Sequence, residues 1–235
     1  MNPDMLKCYS VFKSIQGEFT AAMPAGSVSY FLRLYGCNLN CVWCDTKMEK
    51  DLFSHFEVTS LSKAFNYSPV KNVVITGGEP LLQVDGVTAL VKDLVEKKNV
   101  VIETNGSIVI PEKLEFINRQ RLAFAVDYKL SSSGKLPPDY NNNFFENLKK
   151  LRKSDTVRFV VSSHKDYMEA KEVYYECKSR RLVDGPIYSF SPVLDKFDPG
   201  RLVKLMVLED VRFVFSLQLH KILDLLEDQN PSFKF

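Results

Sequence analysis

Residues Val70 to Glu103 read VKNVVIT, GGEP, LLQVDGVTALVKDLVEKK, NVVIE, and the change of rhythm along this stretch decides the fold. The first and last pieces are short β-branched runs, the composition of strands. The middle places Val87, Leu90, Val91 and Leu94 three and four positions apart, which predicts a helix over 82–97. A strand, a glycine turn, a helix and a second strand make a βαβ unit, whose two strands run parallel.

The same alternation recurs on both sides. Val28–Leu34 (VSYFLRL), Leu122–Val126 (LAFAV), Val157–Val161 (VRFVV), Ile187–Phe190 (IYSF) and Val211–Phe215 (VRFVF) predict further strands. Asn143–Lys150, Lys165–Arg180 and Leu217–Glu227 predict further helices. Repeated units of this kind give an α/β, mostly parallel sheet covered by helices, with polar clusters at the carboxyl ends of its strands. Lys135–Asn143 (KLPPDYNNN) reads as a loop and Asp228–Phe235 as a tail, and neither resembles a linker. With 235 residues, 45% of them hydrophobic, the expectation is one domain over 1–235.

Charge excludes little but does remove one class. The 31 basic and 29 acidic residues nearly cancel, so no electrostatic footprint for nucleic acid exists, and Lys149, Lys150, Arg152 and Lys153 read as a solvated face. No apolar run is long enough for a bilayer, and MNPDMLKCYSVF lacks a secretory pattern, so a cytoplasmic chain with no membrane partner is expected.

Three of the five cysteines crowd into Gly36–Thr46, GCNLNCVWCDT, directly after a predicted strand. The odd, clustered set fits metal binding better than disulfides. Cys37, Cys41 and Cys44 offer soft thiolates to iron or zinc, and a four-iron cluster held by three would keep one iron open. A structural zinc would need a fourth ligand such as His55 or Cys8. Unligated core thiols are a further alternative, and Cys8 and Cys177 read as ordinary thiols.

Read in order, the motifs are Phe12–Glu18 (FKSIQGE), Phe31–Leu34 (FLRL), the C-x3-C-x2-C loop with Trp43 before its last cysteine, and Thr76–Gln83 (TGGEPLLQ). Then come Glu103–Gly106 (ETNG), Asp127–Gly134 (DYKLSSSG) and Gln218–Lys221 (QLHK). The loop and TGGEP resemble the radical S-adenosylmethionine superfamily. The full series, over residues 12–221, resembles its 7-carboxy-7-deazaguanine synthase family. Phe19 stands where that family usually has glycine, Ser131 where it often has proline, and Ser216-Leu217 precede QLHK without proline.

The resemblance implies a partial β/α barrel of about six mostly parallel strands, with a [4Fe-4S] cluster on Cys37, Cys41 and Cys44 in the loop 36–46. It implies S-adenosylmethionine bound by Trp43, Gly78, Glu79, Asp127, Tyr128, Lys129, Ser191, Pro192, Val193 and Leu194. Ile15, Gln16, Gly17, Glu18, Arg33, Thr76 and His220 would meet 6-carboxy-5,6,7,8-tetrahydropterin. Thr46 would reach Mg2+, although a threonine after aspartate also suits a cap. Paired glycines permit close backbone approach independently of any resemblance, and an arginine fork suits the carboxylate that the resemblance assigns to Arg33.

The implied reaction is radical: S-adenosylmethionine is cleaved at the cluster, hydrogen is taken from C6 of the pterin, and ring contraction with loss of ammonia gives 7-carboxy-7-deazaguanine. No residue is assigned as acid or base. A flavodoxin or ferredoxin electron donor and a homodimer complete the implied picture. Two alternatives stand beside this carbon–nitrogen lyase: a glycyl-radical activating enzyme and a non-enzymatic zinc-binding interaction module.

Overall fold

A strand turns alternate side chains to opposite faces, so each strand here must satisfy two environments at once. The computed structural model describes residues 3–44, 46, 48–49, 51–117, 120–182, 184–209 and 213–223. Its strands are β1 (Met5–Ile15), β2 (Val28–Leu34), β3 (Ser54–Glu57), β4 (Asn72–Gly77), β5 (Asn99–Thr104), β6 (Leu122–Tyr128), β7 (Thr156–Val161), β8 (Ile187–Pro192) and β9 (Phe213–Phe215). Its helices are α1 (Val58–Tyr67), α2 (Val84–Leu94), α3 (Glu112–Glu115), α4 (Tyr140–Leu148), α5 (His164–Ser179), α6 (Pro199–Val207) and α7 (Leu219–Ile222).

The strands form one open sheet in the order β3-β1-β2-β4-β5-β6-β7-β8-β9. From β2 through β9 each neighbour is parallel, as the βαβ reading requires. All seven predicted runs therefore lie in the parallel series, one more than the barrel count of about six. The amino-terminal β1 and the short β3 are antiparallel additions at one edge that the sequence reading omits. The first residues of the last predicted strand, 211–212, lie outside the described residues.

The principal core lies between the sheet's outer face and the helices. It takes Leu32, Val73, Ile75, Ile102, Phe124, Val157 and Phe159 from the strands, all fully buried. Helix α2 contributes Val87, Leu90, Val91 and Leu94, the face foreseen from their spacing. The predicted helix over 82–97 begins later because Pro80 opens a 3-10 turn, Pro80–Gln83, capped by Glu79 accepting from the Leu81 amide. Three helices escaped the sequence reading, the one-turn α3 and the longer α1 and α6. Helix α1 buries Val58, Leu61 and Phe65, while α6 starts at Pro199 with Asp198 accepting from the Arg201 amide. The predicted helix at 217–227 is described only as α7, and 224–227 and the tail 228–235 lie outside the described residues. No helix among the described residues is long and apolar enough to cross a membrane.

Candidate active site

On the inner face the same strands carry a second, smaller apolar patch: Phe31, Val74, Val101, Ala123 and Ala125, with Met23 packed across it. Two residues further along each strand the face turns polar: Arg33 after Phe31, Thr76 after Val74, Glu103 after Val101 and Asp127 after Ala125. Parallel register puts Arg33 beside Thr76 and Asp127 beside Arg158. A polar belt thus crosses five strands, near the carboxyl ends of the first four and at the middle of the fifth. The Thr76 hydroxyl donates to Glu103 Oε2 at 2.9 Å. Arg158 Nε meets Asp127 Oδ1 at 2.6 Å, and its Nη1 meets Glu103 Oε1 at 2.8 Å and Glu18 Oε2 at 2.6 Å.

This belt floors a cavity of about 200 Å³. Its electrostatics follow from burial and pairing. Burial works against the charge of Asp127, but Arg158 and Lys129 outweigh it and hold the carboxyl below the usual range. At Glu18 burial wins, and the carboxyl is raised despite Arg158. Lys129 donates to Asp127 Oδ2 at 2.8 Å, and that neighbour overcomes burial to keep its ammonium charged.

The cysteine loop is seated on the glycine turn. A side chain at Gly78 would meet Gly36 O at 1.9 Å, and the Gly78 and Glu79 amides donate to Leu34 O and Gly36 O. The glycines are therefore needed for the approach of one backbone to another within the chain. Glu79, fully buried beneath them, accepts from the Leu81 amide, the Thr104 hydroxyl and the Asn105 amide. Burial raises its carboxyl to about 7. Gln83 fixes the same corner through Lys7 and Tyr35, and Asn105 reaches Asn38 Oδ1 at 3.1 Å and Cys37 Sγ at 3.7 Å.

Cys37, Cys41 and Cys44 are thiols outside any disulfide, none is fully buried, and all three line the cavity. Burial raises the Cys41 thiol, opposed by Lys129. Among the described residues no three His, Cys, Asp or Glu side chains gather around one point as a lone ion demands. Thiolates are the soft ligands that iron–sulfur clusters take. Cys8, buried in the outer core, and His55, packed edge-on against Phe53, do not line the cavity, so neither completes a zinc set there.

The two ends of the chain meet over the cavity. Gln218 Nε2 donates to Glu18 Oε1 at 2.6 Å, and the Leu219 amide donates to Gly17 O at 2.9 Å. A side chain at Gly17 would meet His220 Nδ1 at 2.7 Å, so the contact needs glycine. The departures from the family pattern have partners: the Phe19 amide donates to Oγ of Ser216, which joins two of them, and Ser131 donates through its amide and hydroxyl to Glu169. Gln16 is buried with its Oε1 lacking a hydrogen-bond partner beside the cavity.

Of the residues singled out in the sequence, the cavity wall gathers Ile15, Gln16, Gly17, Glu18, Arg33, Thr76 and His220. It also takes in Trp43, Thr46, Gly78, Asp127, Lys129 and Val193. Alternation removes Tyr128, whose ring packs against Tyr140, Phe144 and Phe159 on the outer side. Glu79 sits under the turn. Ser191 donates to Ser216 O, and neither it nor Pro192 or Leu194 lines the cavity. Asp45 lies outside the described residues. The motifs do not include Arg158, and they carry Glu103, Asn105 and Gln218 only as members of ETNG and QLHK. Arg158 did carry a signal, a charge in VRFVV like Arg33 in FLRL, each flanked by residues that face the outer core.

The profile of the Radical SAM superfamily matches residues 32–171. The chain is 39% identical over 230 residues to the 7-carboxy-7-deazaguanine synthase of Clostridium acetobutylicum, covering 92% of this chain and 95% of that protein. It is 31% identical over 222 residues to the synthase of the same name from Methanospirillum hungatei, covering 94% and 86%. Among solved structures, Streptococcus suis SuiB bound to its precursor peptide SuiA superposes with a TM-score of 0.60 at 16% identity. That match covers 85% of this chain, which spans about half of SuiB, and it supports the fold alone.

Proposed function

We propose, for a chain that belongs to the radical SAM superfamily and within it to the 7-carboxy-7-deazaguanine synthase family, that it converts 6-carboxy-5,6,7,8-tetrahydropterin to 7-carboxy-7-deazaguanine and ammonia. The observation that carries this reading is convergence: the amino-terminal FKSIQGE segment, the polar belt, the cysteine loop and the carboxyl-terminal QLHK motif border one cavity.

Cys37, Cys41 and Cys44 would hold the [4Fe-4S] cluster, and Trp43, Gly78, Asp127, Lys129 and Val193 would border S-adenosylmethionine beside it. Glu79 and Tyr128 would act from beneath, as supports of the glycine turn and of strand β6, and Ser191, Pro192 and Leu194 as supports of the β8 end. When bound, the pair supplies one-electron cleavage of S-adenosylmethionine and hence hydrogen abstraction. The chain's own task is to hold the substrate and keep other hydrogen donors away.

Its side chains suit that task. Phe12 and Phe31 stack at 5.3 Å and give a flat apolar wall. Arg33, lying over the Phe12 ring, presents a fork to the substrate carboxylate. Gln16 Oε1 would accept from a ring N–H, with Glu18, Thr76 and His220 and the Ile15–Gly17 backbone around it. Thr46 would give Mg2+ one hydroxyl ligand, the rest coming from substrate and water. The electrons would come from a flavodoxin or ferredoxin, and the working form would be a homodimer.

The test is anaerobic reconstitution with the pterin, S-adenosylmethionine, magnesium and a reductant, read by mass spectrometry. A 7-carboxy-7-deazaguanine product supports the reading. Formation of 5′-deoxyadenosine without it rejects this substrate, and formation of neither by cluster-loaded protein rejects the enzyme reading.

A further inference from the structure

Arg158 is the most heavily engaged cation among the described ion pairs, yet no motif in the sequence includes it. Its side chain is 8% exposed, and it grips three carboxylates at 2.6–2.8 Å. The three come from different parts of the fold: Asp127 from β6, Glu103 from β5, and Glu18 from the segment after β1. The first two are fixed by sheet register. The third is not, because past Gln16, whose amide and carbonyl still bond Ser27 and Gly26, the chain leaves the sheet.

That asymmetry gives Arg158 a role. A guanidinium has its donors in a rigid fork, so holding two carboxylates on the sheet fixes the direction in which the remaining donor points. Nη1 serves Glu103 and Glu18 together, so the position of the sheet carboxylate is copied to the loop carboxylate. Gln218 holds the other oxygen of Glu18, which ties the carboxyl-terminal segment into the same arrangement.

Charge explains why the residue must be a cation. Within the bonded group, Glu18, Glu103 and Asp127 face Arg158 and Lys129, while Arg33, His220 and Lys221 border the same cavity from β2 and α7. Without Arg158 three buried carboxylates would share one lysine, and their mutual repulsion would drive protonation or push the loop outward.

We propose that Arg158 is a positioning residue of the reaction chamber: by gripping Glu18 together with Glu103 and Asp127, it sets the stance of the amino-terminal binding segment against the sheet. The inference deepens the proposed reaction and rests on it for the part concerning product formation. Arg158 acts through Glu18 and its neighbours, and no contact with substrate is ascribed to it.

Two measurements on cluster-loaded Arg158→Lys and Arg158→Met test it. The first needs no substrate: amide hydrogen exchange of residues 14–20, which is expected to quicken about tenfold or more in both variants while β4 and β5 stay protected. The second is the product formed per 5′-deoxyadenosine, expected to fall on the order of a hundredfold in Arg158→Met through misplacement. The acid limb of its pH profile should move to higher pH, since the carboxylates lose the cation that favours their charged form.

Lysine keeps the charge without the fork, so Arg158→Lys decides the matter if Arg158→Met does not fold. Unchanged exchange at 14–20 overturns the inference, as does an unchanged product ratio and pH profile in a wild type that makes the product. A wild type that makes none removes the reaction reading, while the exchange result still judges Arg158.

Discussion

The outer and inner faces of the sheet are built from alternate residues of the same strands, yet they obey different rules. Outward, Leu32, Ile75, Ile102, Phe124 and Phe159 run apolar along their length and vanish under helices. Inward, Phe31, Val74, Val101 and Ala125 give way within one further inward position to Arg33, Thr76, Glu103 and Asp127. The outer face satisfies the hydrophobic requirement completely, which allows the inner face to accumulate charge. A fold that buried both faces with apolar side chains would leave nothing to hold a polar substrate.

The sharpest way to break this comparison is at the mouth of the inner face. Cys41→Ala should abolish cluster binding and S-adenosylmethionine cleavage, measured as iron and sulfide content and as 5′-deoxyadenosine, because three thiolates leave no spare ligand. Stability of the metal-free chain should change little, since Cys41 is only half-buried. A large drop in the metal-free melting temperature would show that the loop also supports the core.

The outer face should give the reverse pattern. Phe159→Ala removes a fully buried ring and should cost about 3–5 kcal/mol in denaturant unfolding, while activity per folded molecule stays near wild type. Loss of activity at full folding would mean that the two faces are coupled more tightly than alternation suggests.

Glu79 lies at the boundary between them. Its carboxyl is raised by burial from 4.5 to about 7, so the folded state holds the proton more tightly than the unfolded chain does. The stability it contributes is full below pH 4.5 and is lost as pH rises through about 7. The stability of wild type minus that of Glu79→Gln should therefore decline across that window, by up to roughly 3 kcal/mol, and then level off. A difference that stays flat with pH would place the Glu79 proton elsewhere.

A finer test separates binding from folding. Arg33→Ala should lower kcat/KM for the pterin roughly ten- to a hundredfold, the worth of a charge-assisted pair, with cluster loading and melting temperature near wild type. Loss of iron from this variant would move Arg33 from the substrate to the scaffold.

Much of this arrangement is legible in the sequence. The parallel series followed from seven β-branched runs, and the motif series marked Arg33 within one of them. The cavity-lining cysteines stood together within eight positions. The edge strands β1 and β3 were not legible, because β1 mixes polar and apolar residues and β3 has only four. Arg158 stood out as a charge among apolar neighbours but its partners did not show, and Tyr128 sat inside a motif whose adjacent residues face the other way.

What the sequence determined by itself is therefore local: periodicity sets strand and helix, and ligand chemistry marks the cysteine loop, because both depend on residues near one another in the chain. Only the tertiary structure decided which motif residues reach the cavity, which support it from below, and which charges meet. Glu18, Glu103, Asp127 and Arg158 span 140 positions of sequence. Nothing in their own neighbourhoods records that one guanidinium holds all three carboxylates, since that arrangement is set by parallel register and by a loop crossing over it.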